Sequence, residues 1–191
     1  MMKCRILLPL LLLLCLTLSG CAHNRQAVQL PEASAGQTDY SQLDLAERFE
    51  DLGGLTAASP LIVEALLTEN SSKVAYAGAN FIINELTVTD VIKGNASAMG
   101  QTLQLLELES LNINLTKTSD RFILFLDRYE GPVIEDEAYV ISGVYQGRFD
   151  IGEDDKVRYA AGERGGLSTF QGQITPAGVE EFKEQIIQSF R

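Results

Sequence analysis

All three cysteines of this 191-residue chain fall within its first 21 residues, so the rest has no thiol and no disulfide. Such a chain must be held together by apolar burial, and residues 41–191 suffice for one domain with a sizeable core. Cys4 and Cys15 belong to an N-terminal segment with three parts. Lys3 and Arg5 give it a positive start, an apolar run spans Ile6 to Leu18, and Ser19-Gly20 lead into Cys21. The run is 13 residues long. A bilayer-spanning helix needs about 20 apolar residues, so the run has the length of a signal-peptide core.

Leu18-Ser19-Gly20-Cys21 has the residue types and order of a bacterial lipobox. The expected cleavage lies between Gly20 and Cys21, and Cys21 is the expected lipidation site. Each methylene of the attached acyl chains that enters the bilayer contributes about 0.8 kcal/mol, which makes two or three chains a durable anchor. The expected organisation is a signal peptide at 1–20, a lipidated flexible tether at 21–40, and a single β-barrel domain with a C-terminal helix at 41–191. The tether reading rests on Pro31, Ser34, Gly36 and Thr38 and on a lack of apolar periodicity. The expected location is the extracytoplasmic face of the cell membrane. Ala22 replaces the aspartate that retains lipoproteins at a Gram-negative inner membrane, so a Gram-negative source would place the chain on its outer membrane.

Removal of Lys3 and Arg5 with the leader leaves a net charge of −13, because all 26 acids lie beyond residue 20. That balance argues against nucleic acid as a partner, since phosphates demand a cationic face. It also keeps the folded body away from anionic lipid, so membrane contact runs through the anchor. His23, two residues from the anchor, is the single histidine, and there is no tryptophan. Ser-His-Asp and Cys-His nucleophilic sites are therefore excluded, as are the usual zinc ligand sets. Neither a cofactor nor a metal is expected. The acidic clusters Glu135-Asp136-Glu137 and Glu153-Asp154-Asp155 read as solvated turns, with weak calcium binding or a glycosidase-type carboxylate pair as the functional alternatives.

The pattern beyond the tether is β-rich. Leu43, Leu45, Phe49 and Leu52 fit one face of a short N-terminal helix that Gly53-Gly54 should end. Strands are expected at Leu61–Thr68, Phe81–Ile92, Leu103–Leu108, Phe122–Leu126 and Ala138–Val144. Phe149 and Ile151 should face Val157 and Tyr159 in a hairpin. Alternation slips between Val88 and Val91 and again between Leu105 and Leu106, as bulges that bend strands into a barrel would require. Five consecutive apolar residues at Phe122–Leu126 suit a central strand covered on both faces. Val179, Phe182, Ile186 and Phe190 form the stripe of a C-terminal amphipathic helix, with Thr175 as its cap, Pro176 in its first turn and Ile174 stapled onto Val179.

The order of landmarks is Ala58-Ser59-Pro60-Leu61-Ile62-Val63, Val91-Ile92-Lys93-Gly94, Phe122-Ile123-Leu124-Phe125-Leu126, Tyr139 to Ile141, and Tyr145-Gln146-Gly147-Arg148-Phe149. This order resembles a group of uncharacterised secreted or lipid-anchored proteins of Gram-positive bacteria. Their strand pattern is similar to the OB-like barrel of tissue inhibitors of metalloproteinases. The resemblance covers residues 55–160 and implies a mainly β, OB-like closed or partly open barrel. Those inhibitors chelate the target's zinc through a free N-terminal cysteine, whereas Cys21 here is acylated and 40 residues upstream of Leu61. The inhibitory residues therefore do not carry over.

Tyr145, Gln146, Gly147 and Arg148 are the candidate binding residues, an aromatic, an amide and a guanidinium beside a glycine that together suit a polar ligand. The competing reading gives Gly147 a bulge and Arg148 an acidic partner. The expected function is a non-enzymatic, membrane-anchored module that binds an extracytoplasmic protein or small ligand. The alternatives are an inhibitor-like module acting on an extracellular enzyme, or a hydrolase using carboxylates alone.

Overall fold

The computed structural model describes residues 47–111, Leu115, 119–159 and 178–191, all within one compact unit. The expected signal peptide, Gly20, Cys21, the tether and the 174–176 capping segment lie outside the described residues. The architecture is mainly β. Strands β1 (Leu61–Tyr76), β2 (Ala79–Lys93), β3 (Thr102–Leu108), β4 (Arg121–Arg128), β5 (Tyr139–Ile141), β6 (Arg148–Ile151) and β7 (Val157–Tyr159) form one mixed sheet. Helices α1 (Leu52–Ala58) and α2 (Val179–Ser189) pack beside it.

Strand β4 organises the sheet. One of its edges pairs with β1, and the other pairs first with β5 and then with β6. Strand β1 also pairs with β2 and β2 with β3, all antiparallel. The circuit returns through a single parallel pair, Leu105 with Tyr139, between β3 and β5. Five strands thus make a partial ring, and the β6–β7 hairpin extends outside it.

Each face of β4 has its own core, which is why its apolar run is continuous. Phe122, Leu124 and Leu126 meet Val63, Ala65, Leu86 and Leu105 inside the ring. Ile123 and Phe125 point the other way, against Phe149, Leu55, Phe182 and Ile186, so the helices cover this outer face. The expected hairpin forms in the expected register, Phe149 opposite Tyr159 and Ile151 opposite Val157.

The two slips in alternation have different origins. Register along β1 and β2 shifts between Glu64 and Ala65, where Thr89 is the extra residue on β2, so the slip after Val88 is a bulge. The Leu105–Leu106 slip is not. Pairing of β2 with β3 is regular from Phe81–Leu108 to Thr87–Thr102, and both leucines are buried, Leu105 in the core inside the ring and Leu106 on the opposite face of β3.

Several elements depart from what the sequence predicts. The N-terminal helix begins at Leu52, and Gly53-Gly54 form its first turn instead of ending an earlier helix. The Asp51 side chain caps this turn by accepting from the Gly54 N–H at 2.7 Å. A Cβ on Gly54 would come within 3.3 Å of that same oxygen, so small residues suit the cap. Strand β1 runs on to Tyr76 through exposed polar residues and pairs there with β2, whose other edge holds β3 as far as Phe81. Ala77 and Gly78 both take positive φ (49° and 85°) between β1 and β2, the twist of a type I′ hairpin turn. Finally, β5 stops at Ile141 instead of reaching Val144.

Helix α2 buries Val179, Phe182 and Ile186 as its stripe predicts, whereas Phe190 lies past the helix end and is exposed. The helix starts at Val179 with Gly178 as its N-cap residue and no side-chain cap bond, three residues later than the Thr175 cap implies. Lys183 is also buried. Its Nζ reaches Glu64 at 2.7 Å, Asp90 at 2.8 Å and Glu180 at 3.2 Å, fastening the helix to β1 and β2. Burial opposes the charged ammonium, but the three carboxylates outweigh it and hold the Lys183 pKa above its ordinary value. Arg121 extends the network from Glu64 to Asp155.

Candidate functional site

The motif Tyr145-Gln146-Gly147-Arg148 lies inside the protein. β5 and β6 pair consecutively along the same edge of β4, and residues 142–147 are the compact turn between them. Phe125 donates to the Gly147 carbonyl and accepts from the Ser142 N–H, which holds both ends of the turn on β4. Gln146 is 1% exposed. Its amide clamps the Phe49 backbone, accepting from N–H at 2.9 Å and donating to C=O at 2.8 Å, much as a neighbouring strand would. Arg148 lies 5.3 Å above the Phe122 ring and donates to Asp150 at 2.9 Å. Tyr145, Gln146 and Arg148 are each 5% exposed or less, so the structure places the motif in the interior and not on an open surface.

Gly147 has a packing reason. A Cβ there would stand 2.9 Å from the Phe125 carbonyl oxygen and 2.9 Å from that of Ser142, both backbone atoms that cannot swing aside. We expect Gly147→Ala to lower the unfolding free energy by about 2 kcal/mol in urea titrations, the scale of overpacking. An unchanged midpoint would show that β4 and the turn have room to separate.

A different site emerges where the ring fails to close. Beyond Leu105–Tyr139 the strands β3 and β5 have no further pairing, and a cleft of about 480 Å³ opens between them. Its walls are largely apolar. Leu106, Leu108 and Phe81 come from β3 and β2, and Tyr129, Val140 and Val144 from the β4–β5 side. Glu47 and Asp127 also line it, and no lysine, arginine or histidine does. Volume and lining fall in the ordinary range for ligand pockets, which are mostly apolar with a few polar groups.

Val144, on one wall, has a φ of 63°, the left-handed region that a β-branched residue avoids. Left-handed backbone costs about 1–2 kcal/mol for an L-residue, and strain of this kind gathers at functional sites. The turn supplies the constraint: Val144 donates to the Ile141 carbonyl, while Tyr145 and Gln146 donate to that of Gly143.

Glu107 belongs to the same wall, with its carboxylate turned to the interior. Its Oε2 accepts from Asn84 Nδ2 at 2.6 Å and from the Leu115 N–H at 3.3 Å. Burial pushes its pKa up to about 7, against the lowering effects of Leu115, Asn84 and the charge on Arg148. Asn84 Oδ1 has no hydrogen-bond partner among the described residues.

The acidic turns have local partners instead. Glu137 faces Arg128 at 3.9 Å, Asp154 pairs with Arg158 at 3.0 Å, and Asp155 with Arg121 at 2.6 Å. Among the described residues there is no group of three or more His, Cys, Asp or Glu placed to hold a metal ion. The cleft had no signal in the sequence, because it joins residue 47, the end of β3 and the 140–144 segment. Comparison with protein-family models, curated proteins and solved structures finds no match for this chain.

Proposed function

We propose that the chain is a lipid-anchored extracytoplasmic lipoprotein whose body is an OB-like binding module, with the open seam between β3 and β5 as its ligand site. The carrying observation is the apolar cleft of about 480 Å³ at the seam where β3 and β5 share a single pair. An OB-fold is a five-stranded, partly open Greek-key barrel, and the circuit β1-β2-β3-β5-β4 supports that reading. The strained Val144 at the cleft supports a binding role over a purely structural one.

Attachment rests on the lipobox. Among the described residues no helix is long and apolar enough to cross a membrane, so the anchor would carry the attachment alone. Cys21→Ala is expected to move the protein from the membrane to the soluble fraction on cell fractionation, with an unaltered thermal unfolding midpoint. Retention in the membrane fraction would refute the anchor.

The ligand site is tested by a photo-crosslinking residue at Val144, which is 37% exposed, and by another at Met99, 50% exposed and not part of the cleft lining. In cells carrying the anchored protein, Val144 should yield a discrete adduct that Met99 does not. Equal adducts at both positions, or none at Val144, would end the reading. An adduct with an extracellular protease would replace it with the inhibitor-like alternative.

A further inference from the structure

We propose that the seam cleft takes an extended peptide that is both apolar and basic, and that the peptide adds itself as a strand beside β3. This rests on the reading of the cleft as a binding site and names its ligand class. Three observations point the same way. Leu106, Glu107 and Leu108 pair with β2 on one side only, and among the described residues no strand pairs with their other edge. An unpaired strand edge is a template for another chain, and main-chain bonds to it supply affinity without demanding a particular sequence.

The side chains then set specificity. Strand residues alternate between faces, so a peptide lying along β3 would send every second side chain into the apolar wall of Leu106, Leu108 and Val144. The rim of the same cleft is acidic. There Glu47 and Asp127 stand without a basic residue in the lining, on a protein of formal net charge −11. Lysine or arginine complements that rim and an acidic residue is repelled by it. Nucleic acid is excluded by the same charge, and a neutral apolar molecule would leave the strand edge unused.

The test uses the full lipidated chain in non-ionic detergent micelles and a fluorescent hexapeptide that alternates lysine and valine. Two relatives of the probe accompany it: one with glutamate for lysine, and one N-methylated at alternate residues to remove the donors of one edge. Fluorescence anisotropy is expected to give saturable binding of the lysine peptide, with the glutamate and N-methylated peptides each at least tenfold weaker. Asp127→Asn should weaken the lysine peptide about threefold to tenfold, whereas Glu184→Gln, which removes the same charge from exposed helix surface, should not. Val144→Arg should abolish binding while circular dichroism and the thermal midpoint show the fold retained.

Equal affinity for the lysine and glutamate peptides overturns the charge assignment, and equal affinity for the N-methylated peptide overturns strand addition. A loss with Glu184→Gln equal to that with Asp127→Asn reduces the effect to net charge and overturns the site. No binding of any peptide overturns the inference. If the Val144 crosslink still captures a discrete partner, the cleft remains a ligand site and only the peptide assignment falls. A dimer by light scattering that Val144→Arg dissociates would place a second copy of this chain in the cleft and overturn it equally.

Discussion

Lowering the pH from 8 to 5 is expected to stabilise this protein by about 2–3 kcal/mol, and Glu107→Gln is expected to remove that dependence. Glu107 titrates from an ordinary 4.5 in the unfolded chain to about 7 when folded, because burial disfavours its carboxylate. Folding therefore favours the protonated acid. The resulting stability is fully present below pH 4.5 and is lost as the pH rises through about 7. One pKa unit corresponds to about 1.4 kcal/mol, which sets the size of the effect. The unpartnered Asn84 Oδ1 fits this sign. Rotation of the amide lets protonated Glu107 donate to it, whereas an ionised Glu107 leaves that acceptor without a partner.

Glutamine keeps an acceptor for the Leu115 N–H and supplies a donor for Asn84 without ever ionising. The Glu107→Gln protein should therefore be about 3 kcal/mol more stable than the parent at pH 8, with the difference shrinking below about 1 kcal/mol by pH 5. Asp154, whose pKa is lowered, acts in a separate and lower window, and Arg121 and Lys183 titrate above this range. Urea midpoints measured from pH 5 to pH 8 on both proteins decide the matter. A slope that survives in Glu107→Gln would assign the pH dependence elsewhere.

Phe149→Ala is expected to have the largest effect of any single truncation considered, about 3–5 kcal/mol. Phe149 is fully buried on β6 and touches a ring from three other elements. Its centroid lies 5.4 Å from Phe125 on β4, 5.1 Å from Tyr159 on β7 and 4.7 Å from Phe182 on α2. Each contact is tilted, the arrangement that favours aromatic pairs beyond their buried area. The cavity left by alanine cannot collapse readily, since β4 is fixed by ladders on both edges and α2 by the Lys183 ion pairs. Phe190→Ala offers the contrast. That ring is 41% exposed past the end of the helix, so its loss should cost under about 0.5 kcal/mol. Chemical denaturation of the two variants side by side tests the pair. Equal losses would contradict the assignment of Phe149 to the junction of sheet and helix.

What was legible from residue order alone follows from how locally each feature is determined. Phe122–Leu126 was recognisable because a strand with two dry faces must be apolar at every position. The β6–β7 register was recognisable because a short acidic turn fixes which residues oppose. The stripe of α2 was recognisable from its period. By contrast, Asn70–Tyr76 carries no apolar alternation, and only its ladder with β2 makes it a strand. Helix α1 was obscured by two glycines whose place is set by the Asp51 cap. Lys183 gave no signal of its own, because the acids Glu64 and Asp90 that pair with it come from two distant strands.

The same division governs the candidate site. Tyr145 to Arg148 has the residue types of a binding motif, but burial is decided by which neighbours arrive. Here the Phe49 backbone takes up the Gln146 amide and Asp150 takes up the Arg148 guanidinium. The cleft at Leu106, Val140 and Val144 exists because two strands far apart in sequence pair once and then diverge. A single sequence carries local preferences of period, cap and turn, and these settled the β-rich class, the central strand and the terminal helix. Closure of a ring, and the place where it stays open, depends on long-range register. Only the tertiary structure decides that.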